Sequence, residues 1–254
     1  TTVTATGQDT FHKFFGPFTP GFRYVPASDL AALERQLDAE DCSAVLVEIV
    51  QGEGGVRALD ADYLKAVEAL CHEKNVLFCV DEVQTGNGRT GTWFAYEQFG
   101  LSPDLVSTAK GLGNGLPIGA TLMGSKTAEV LTPGTHGSTF GGNPVACAGA
   151  LSVLEQIDDA FLEAVKQKGA WLTAELEKIP GVKDVSGLGL MLGFSVEGCK
   201  SADIKAKALD NGLVVLTAKD RVRLLPPLAI TEEELSDGLL RLAAAIREVQ
   251  EAAH

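Results

Sequence analysis

Two residues of this sequence point to a particular chemistry. Asp81 ends an apolar run that begins at Val76, and Lys110 follows the run Leu105–Ala109 and precedes a loop with three glycines. The primary amine of a lysine can form a Schiff base with an aldehyde, and a carboxylate can hold the positive charge of a protonated heterocycle. These are the two protein groups that pyridoxal phosphate chemistry requires. The pair makes this chain a candidate enzyme.

Taken alone, either residue has a simpler interpretation. Asp81 should lie at the carboxyl edge of a sheet, where it could accept from a sugar hydroxyl, ligate a metal, pair with a cation or cap a helix. A single lysine is most simply a solvated surface amine. However, Lys110 follows the next strand along the chain, so two successive strands can bring the carboxylate and the amine to one edge. This placement favours a shared role in binding a cofactor.

The elements that position these residues alternate along the chain. Apolar runs alternate with amphipathic stretches, which predicts an α/β fold with a mostly parallel sheet covered by helices. Up to residue 178, strands are predicted at 2–6, 44–50, 76–80, 104–109 and 118–123, and helices at 60–74 and 143–178, the latter broken at Asp158-Asp159. Further on we predict extended structure at 182–196, strands at 213–217 and 222–225, and helices at 202–211 and 231–253, the last opened by a capping box of Thr231 and Glu234. The predicted domains are a partial large domain, residues 1–175, and a small C-terminal α+β domain, residues 176–254.

Composition limits the partners and the compartment. The 254 residues are 45% hydrophobic and can bury a sizeable core, and the net charge of −13 disfavours nucleic acid or an anionic membrane as a partner. No apolar stretch reaches the roughly 18 residues of a membrane-spanning helix. Five dispersed cysteines without a CxxC pair predict neither a disulfide framework nor a metal site. A reduced, cytoplasmic location fits this pattern best.

Two glycine-rich segments, residues 111–115 and 187–193, resemble fragments of dinucleotide-binding loops. Neither lies between a strand and a helix with an acidic residue about 20 positions further on. A nicotinamide-dependent oxidoreductase is therefore the least favoured alternative.

Several longer motifs resemble one enzyme family. They are Val47–Gly55, Asp81–Gly86 with Arg89–Gly91, the loop at Lys110, His136–Pro144 and Val222–Leu228. In this order they are similar to the class III pyridoxal phosphate-dependent aminotransferases, and the similarity covers essentially the whole chain. The resemblance implies the fold type I of pyridoxal phosphate-dependent transferases, with the mostly parallel sheet of the large domain incomplete in this chain.

The resemblance also implies roles for individual residues. Lys110 would form the Schiff base with the cofactor and shuttle a proton between substrate and cofactor. Asp81 would pair with the pyridine nitrogen, and Gln84 would hydrogen-bond the ring hydroxyl. Thr139 would donate to the cofactor phosphate, from the neighbouring subunit, and Ser138 would touch the substrate.

Two further residues are implied at the substrate. Arg223 would grip the α-carboxylate with its planar fork, although Arg221 on the same strand face is a competing candidate. Glu53 would pair with that arginine when the dicarboxylate is absent and swing aside when it binds. Glu48, inside an apolar run, needs a partner if it is buried, and the sequence suggests none.

The implied reaction moves the δ-amino group of N-acetylornithine to 2-oxoglutarate in arginine biosynthesis, in a homodimer with shared active sites. Ornithine, succinylornithine or 4-aminobutyrate as donor, and a semialdehyde aminomutase, remain alternatives. Family members carry further N-terminal elements, including a phosphate-binding glycine loop, a stacking aromatic residue and a second substrate arginine. None of these precedes Thr1, so we expect the chain alone to be weakly active or inactive. A non-catalytic fragment is the alternative from another class.

Overall fold

The structure is a computed structural model that describes residues 1–252. By its internal contacts the chain divides into two compact units, residues 1–42 and residues 43–254. The domain boundary that we predict near residue 175 lies inside the second unit and stays a prediction. Among the described residues, no helix is both long and apolar enough to cross a membrane.

The first unit contains three helices: α1 Thr2–Ala5, α2 Asp9–His12 and α3 Leu30–Ala39. Helix α3 begins where the side chain of Asp29 accepts a hydrogen bond from Ala32 N at 2.9 Å. The predicted strand at residues 2–6 is wrong. Ala5 N donates to Thr1 O at 3.0 Å and closes one helical turn, and the Tyr24 hydroxyl donates to Thr4 O. The β-branched residues of this run favour a strand only where a neighbouring strand can pair with it.

The second unit contains all ten strands and five helices of the described chain. The strands are β1 Ala44–Val47, β2 Val50–Gln51, β3 Arg57–Ala58, β4 Leu77–Asp81, β5 Leu105–Thr108, β6 Ala120–Met123, β7 Val182–Leu188, β8 Met191–Val196, β9 Leu216–Ala218 and β10 Arg221–Leu224. The helices are α4 Ala61–Glu73, α5 Pro144–Gln156, α6 Asp159–Leu176, α7 Ser201–Asp210 and α8 Glu232–Ala252, and two short 3-10 helices lie at Ala95–Phe99 and Lys110–Gly113.

The first sheet has the strand order β1-β4-β5-β6, in which β1, β4 and β5 are parallel and β6 is antiparallel to β5. Strand β4 lies at its buried centre, because Phe78 and Val80 are fully buried. The register places Asp81 opposite Ser107, so the carboxyl ends of β4 and β5 meet at one edge. The predicted mostly parallel sheet is confirmed. Its outer strands expose apolar side chains, Leu46 on β1 and Leu122 on β6.

The second sheet is antiparallel, with the order β7-β8-β10-β9. Helices α6, α7 and α8 contribute to one core with this sheet, in which Phe194, Ile204, Val222 and Ile246 are buried. This confirms a mixed α and β architecture in the C-terminal part of the chain.

Local signals explain most helix boundaries of this part. Asp158 caps α6 by accepting from Phe161 N at 2.8 Å, which confirms the predicted break. Thr231 N donates to Glu234 Oε2 at 2.9 Å and Glu234 N to Thr231 Oγ1 at 3.2 Å, so the predicted capping box is confirmed, although Ala253 lies outside the described residues. The predicted strand at 213–217 begins later, because Leu213 N still donates to Ala208 O at the end of α7.

Candidate active site

Asp81 occupies the last position of β4, where its carboxylate is held from two sides. Its Oδ1 accepts from the Ser107 hydroxyl at 3.0 Å and from Val83 N at 2.9 Å. The residues that the structure describes make no hydrogen bond to Oδ2. One oxygen is therefore fixed by the sheet edge, and the other can face a cation.

Lys110 lies at the adjacent strand end. It is exposed, begins the 3-10 helix Lys110–Gly113 and has a φ of 42°, a left-handed conformation that is rare for residues other than glycine. Backbone strain of this kind persists only where the surroundings hold the residue in place. Here the buried Asn87 donates through Nδ2 to Thr108 Oγ1 at 2.9 Å and to Ala109 O at 3.2 Å, directly before Lys110.

Glu48 shows that these groups converge. This half-buried carboxyl follows β1 and accepts a hydrogen bond from Gly52 N at 2.9 Å. Burial raises its pKa above the ordinary value; the Gly52 hydrogen bond and the Lys110 ammonium lower the pKa, whereas the charges of Asp81 and Glu53 raise it. Asp81, Lys110 and Glu53 thus each lie close enough to act on the carboxyl of Glu48.

Gln84 approaches the same region from the turn after β4. A Cβ at position 52 would lie 2.6 Å from Gln84 Cδ. Any residue other than glycine at this position would therefore displace the Gln84 amide. The turn that carries Glu53 and the turn that carries Gln84 are therefore in contact.

Arg223 and Glu53 form an ion pair across 170 residues of sequence. Arg223 Nη1 lies 2.6 Å from Glu53 Oε1; the arginine side chain is 10% exposed and the glutamate 43%. Arg221, the competing candidate, instead donates to the backbone oxygens of Asp184 and Gly193 and is 2% exposed. Of the two arginines, only Arg223 reaches the side chain of Glu53.

The family of the chain follows from comparison with known sequences. The profile of the family described as aminotransferase class-III matches residues 1–246. The chain belongs to the class-III aminotransferases. The resemblance carried by the motifs is confirmed.

Similar class-III aminotransferases come from several organisms. The acetylornithine aminotransferase of Haemophilus ducreyi is 50% identical over 249 residues, which are 98% of this chain and 63% of that protein. The acetylornithine aminotransferase of Bacillus subtilis is 47% identical, over 96% of this chain and 64% of that protein. The chain thus spans somewhat less than two thirds of the length of these relatives.

Solved aminotransferase structures share the fold. The ornithine aminotransferase of Toxoplasma gondii, which contains pyridoxal phosphate at partial occupancy in its active site, aligns with a TM-score of 0.88 and 37% identity over 99% of this chain and 62% of that chain. The N-acetylornithine aminotransferase of Stenotrophomonas maltophilia aligns with a TM-score of 0.85 and 38% identity over 92% of this chain and 64% of that chain. The expected α/β transferase fold is confirmed.

Ser138 and Thr139 share no hydrogen bond with the other site residues in the part of the chain that the structure describes. Both are exposed in the segment before α5, where Ser138 Oγ accepts from Gly141 N at 3.0 Å. Asn143 caps α5 by accepting from Ala146 N at 2.9 Å. No hydrogen bond or ion pair of the described chain joins either residue to Asp81 or Lys110. Their roles in this class-III aminotransferase stay predictions.

Three residues near the site were not singled out from the sequence. Asn87 supports the backbone before Lys110, and Arg89 Nη1 donates to Leu190 O at 3.1 Å and Pro226 O at 2.6 Å, which links the turn after β4 to the segment after β10. Glu82 is fully buried, accepts from the Thr85 hydroxyl and from Tyr96 N, and has a pKa raised by burial. In the sequence, only the turn motif around Asn87 and Arg89 could have indicated these residues. A motif of this kind does not show which atoms the side chains contact.

Proposed function

We propose that this chain provides the lysine-bearing part of a pyridoxal phosphate-dependent aminotransferase. The observation that carries the proposal is the convergence of Asp81 and Lys110, from the ends of neighbouring strands, on the carboxyl of Glu48. We further propose the δ-amino group of N-acetylornithine as the group transferred and 2-oxoglutarate as the acceptor, as in arginine biosynthesis. The names of the Haemophilus and Bacillus relatives support this choice of donor.

The residues at the sheet edge fit the proposed cofactor. Asp81 offers an unshared carboxylate oxygen to a protonated ring nitrogen, and Gln84 offers an amide to a ring hydroxyl. Lys110 is an exposed amine beside a carboxylate-rich cluster. An amine, a carboxylate and an amide at the ends of two neighbouring strands are the donor set that this cofactor requires.

When bound, pyridoxal phosphate supplies an aldehyde that condenses with amines and a ring that withdraws electrons. Lys110 would then act as general base, because its Nζ would take the proton from the substrate carbon that bears the amino group, hold it as an ammonium and give it up again later in the transfer. Asp81 keeps the proton on the ring nitrogen. Ser107 and Val83 orient the Asp81 carboxylate through Oδ1, so that Oδ2 carries this task.

Arg223 can exchange one carboxylate for another. Its Nη1 donates a hydrogen bond to Glu53, whereas its buried Nε makes no hydrogen bond within the described residues. A planar guanidinium binds carboxylates through two parallel N–H groups, so an incoming α-carboxylate can take the place of Glu53 on Nη1 and bind Nη2 beside it. We propose this exchange as the means by which one site accepts both an amino donor and a dicarboxylic oxo acid.

A homodimer is the proposed assembly, with Thr139 of one copy donating to the cofactor phosphate in the other and Ser138 touching the substrate there. Exposed apolar side chains on β6, before α5 and on α5 support an interface: Leu122, Phe140, Val145 and Leu151. Surfaces of this kind mark protein contacts when they are contiguous. Light scattering of the purified chain tests the assembly, and a monomer at high concentration would count against it.

The test of the function is covalent capture at Lys110. The purified chain is incubated with pyridoxal phosphate and reduced with borohydride, and the labelled peptides are mapped by mass spectrometry. We expect label on Lys110 in preference to Lys178, an exposed lysine whose side chain pairs with Glu175. Lys110→Ala should lose only the Lys110 label. Equal labelling of both lysines in the parent chain would refute the proposed function and favour the non-catalytic fragment.

Amino-donor assays then distinguish the substrates. N-acetylornithine, ornithine, succinylornithine and 4-aminobutyrate are compared at equal concentration with 2-oxoglutarate. We expect glutamate formation to be fastest with N-acetylornithine. A clear preference for another donor would overturn the proposed substrate while leaving the reaction type in place.

A further inference from the structure

We propose that Asn87 is a positioning residue for Lys110, an inference that rests on the proposed function of this lysine. Asn87 lies in the turn after β4, and its side chain reaches across to the end of β5. It is 5% exposed. The lysine itself does not favour its own backbone conformation, because its φ is left-handed, and its exposed side chain is not held by burial.

The contacts of Asn87 surround the lysine backbone. Its Nδ2 uses both hydrogens, one on Thr108 Oγ1 at 2.9 Å and one on Ala109 O at 3.2 Å. On the far side, a Cβ built on Gly111 would lie 3.5 Å from the Cβ of Asn87. The two residues before Lys110 and the one after it therefore all face this single side chain.

These bonds act on the turn that Lys110 begins. Ala109 O also accepts from Leu112 N at 2.9 Å, which closes the 3-10 helix. Because Asn87 holds the same carbonyl oxygen, it fixes the plane of the peptide that joins Ala109 to Lys110. The direction in which the Lys110 side chain leaves the backbone follows from that plane.

A second explanation of Asn87 has to be separated from this one. Asn87 has a φ of 57°, and asparagine is among the few residues that tolerate left-handed backbone. Under that explanation the side chain is incidental, and glycine would serve equally well. Asn75 provides the matched control, because it is also left-handed, with a φ of 53°, but is exposed in the turn after α4.

The experiment compares Asn87→Gly and Asn75→Gly with the parent chain, without cofactor. Hydrogen exchange is measured by mass spectrometry in peptides that cover residues 105–113. Asn87→Gly keeps the backbone conformation and removes two buried hydrogen bonds, so we expect the Leu112 amide to exchange roughly tenfold faster. Asn75→Gly should leave this peptide unchanged. Unaltered exchange in Asn87→Gly would overturn the inference and leave backbone conformation as the reason for asparagine.

A second readout follows the lysine itself. Label from pyridoxal phosphate and borohydride is quantified on Lys110 relative to Lys178 in each variant. We expect the ratio to fall at least roughly fivefold in Asn87→Gly and to stay at the parent value in Asn75→Gly. A parent chain without preference for Lys110 would refute the proposed function, whereas the exchange measurement would still decide whether Asn87 holds the turn. A parent with that preference and an unchanged ratio in Asn87→Gly would overturn the inference alone.

Discussion

Replacing Gly169 with alanine should destabilise the chain where helix α6 meets the turn between β7 and β8. Gly169 is buried in α6, and a Cβ there would lie 2.6 Å from the carbonyl carbon of Gly189 and 2.7 Å from its Cα. These are backbone atoms, which cannot rotate away as the end of a side chain can. Gly189 is itself confined, because a Cβ on it would lie 2.7 Å from Arg89 O. Three backbone segments are thus in direct contact.

The expected magnitude is a difference of two terms. Overpacking of a close contact costs about 1–3 kcal/mol, because α6 and the turn must move apart. Alanine in a helix interior is more favourable than glycine by about 1 kcal/mol. The net effect should be a loss of about 0–2 kcal/mol in the free energy of unfolding.

Gly238 in α8 is the matched control for Gly169. A Cβ there meets only Leu213 Cδ1, at 3.6 Å, an ordinary contact distance. Gly238→Ala should therefore gain the helix preference of alanine over glycine without any overpacking. This should stabilise the chain by about 0.5–1 kcal/mol.

Urea unfolding at fixed pH measures both variants, and an unchanged slope shows that the shift of the midpoint reports stability. Hydrogen exchange gives an independent readout, because Leu190 N donates to Arg89 O at 3.1 Å, a bond that should open more readily in Gly169→Ala. A close backbone contact at Gly169 is refuted if Gly169→Ala is more stable than the parent chain, because alanine would then fit there as freely as it does at Gly238.

Three further predictions concern the site. Lys110→Gly should be more stable than Lys110→Ala by about 1 kcal/mol in urea unfolding, because the position is left-handed; equal stability would count against strain at this residue. Burial raises the pKa of Glu82 above its ordinary 4.5, so the native chain keeps a proton that the unfolded chain has released, and stability falls as pH rises from 4.5 through the raised pKa. Glu82→Gln lacks this loss, and its stability relative to the parent should increase from pH 5 to pH 8; parallel curves would contradict the assignment. Glu53→Gln should strengthen the binding of 2-oxoglutarate severalfold in calorimetry by removing the competing carboxylate, whereas Arg223→Lys should weaken it roughly tenfold; an unchanged affinity in both variants would exclude the proposed exchange at Arg223.

What the sequence could predict depended on local signals. The capping box at Thr231 and the break at Asp158 are satisfied within a few residues, so their meaning does not require the rest of the fold. Asp81 and Lys110 could be placed together because parallel strands end at one edge of a sheet. The helix at residues 2–5 could not be predicted, because its conformation depends on hydrogen bonds from distant residues such as Tyr24.

Contacts between distant segments were beyond local signals. Glu53 and Arg223 are 170 positions apart in the sequence, and no pattern between them indicates that they pair; only the family resemblance suggested the contact. Glu48 accepts from a backbone N–H, a partner that every residue except proline offers, so no side chain in the sequence could indicate it. Asn87 is the clearest example of a contact that the sequence does not indicate. An asparagine in a glycine-rich turn is explained by the turn alone, and only the structure shows that its amide donates to Ala109 O.

The residues of the site come from two regions of the fold, which raises the question of what fixes the distance between these regions. Asp81 ends a strand of the first sheet and Lys110 follows the neighbouring strand, whereas Arg223 belongs to the second sheet. Arg89 connects them, because its Nη1 donates both to Leu190 O, beside β8, and to Pro226 O, after β10. Burial lowers the pKa of Arg89 only to about 10, so the guanidinium remains charged at neutral pH. Since its partners are carbonyl oxygens in a partly buried contact, and not a carboxylate at the surface, screening by salt should affect it little. The spacing between the lysine and the carboxylate-binding arginine should therefore depend on backbone geometry more than on ionic strength.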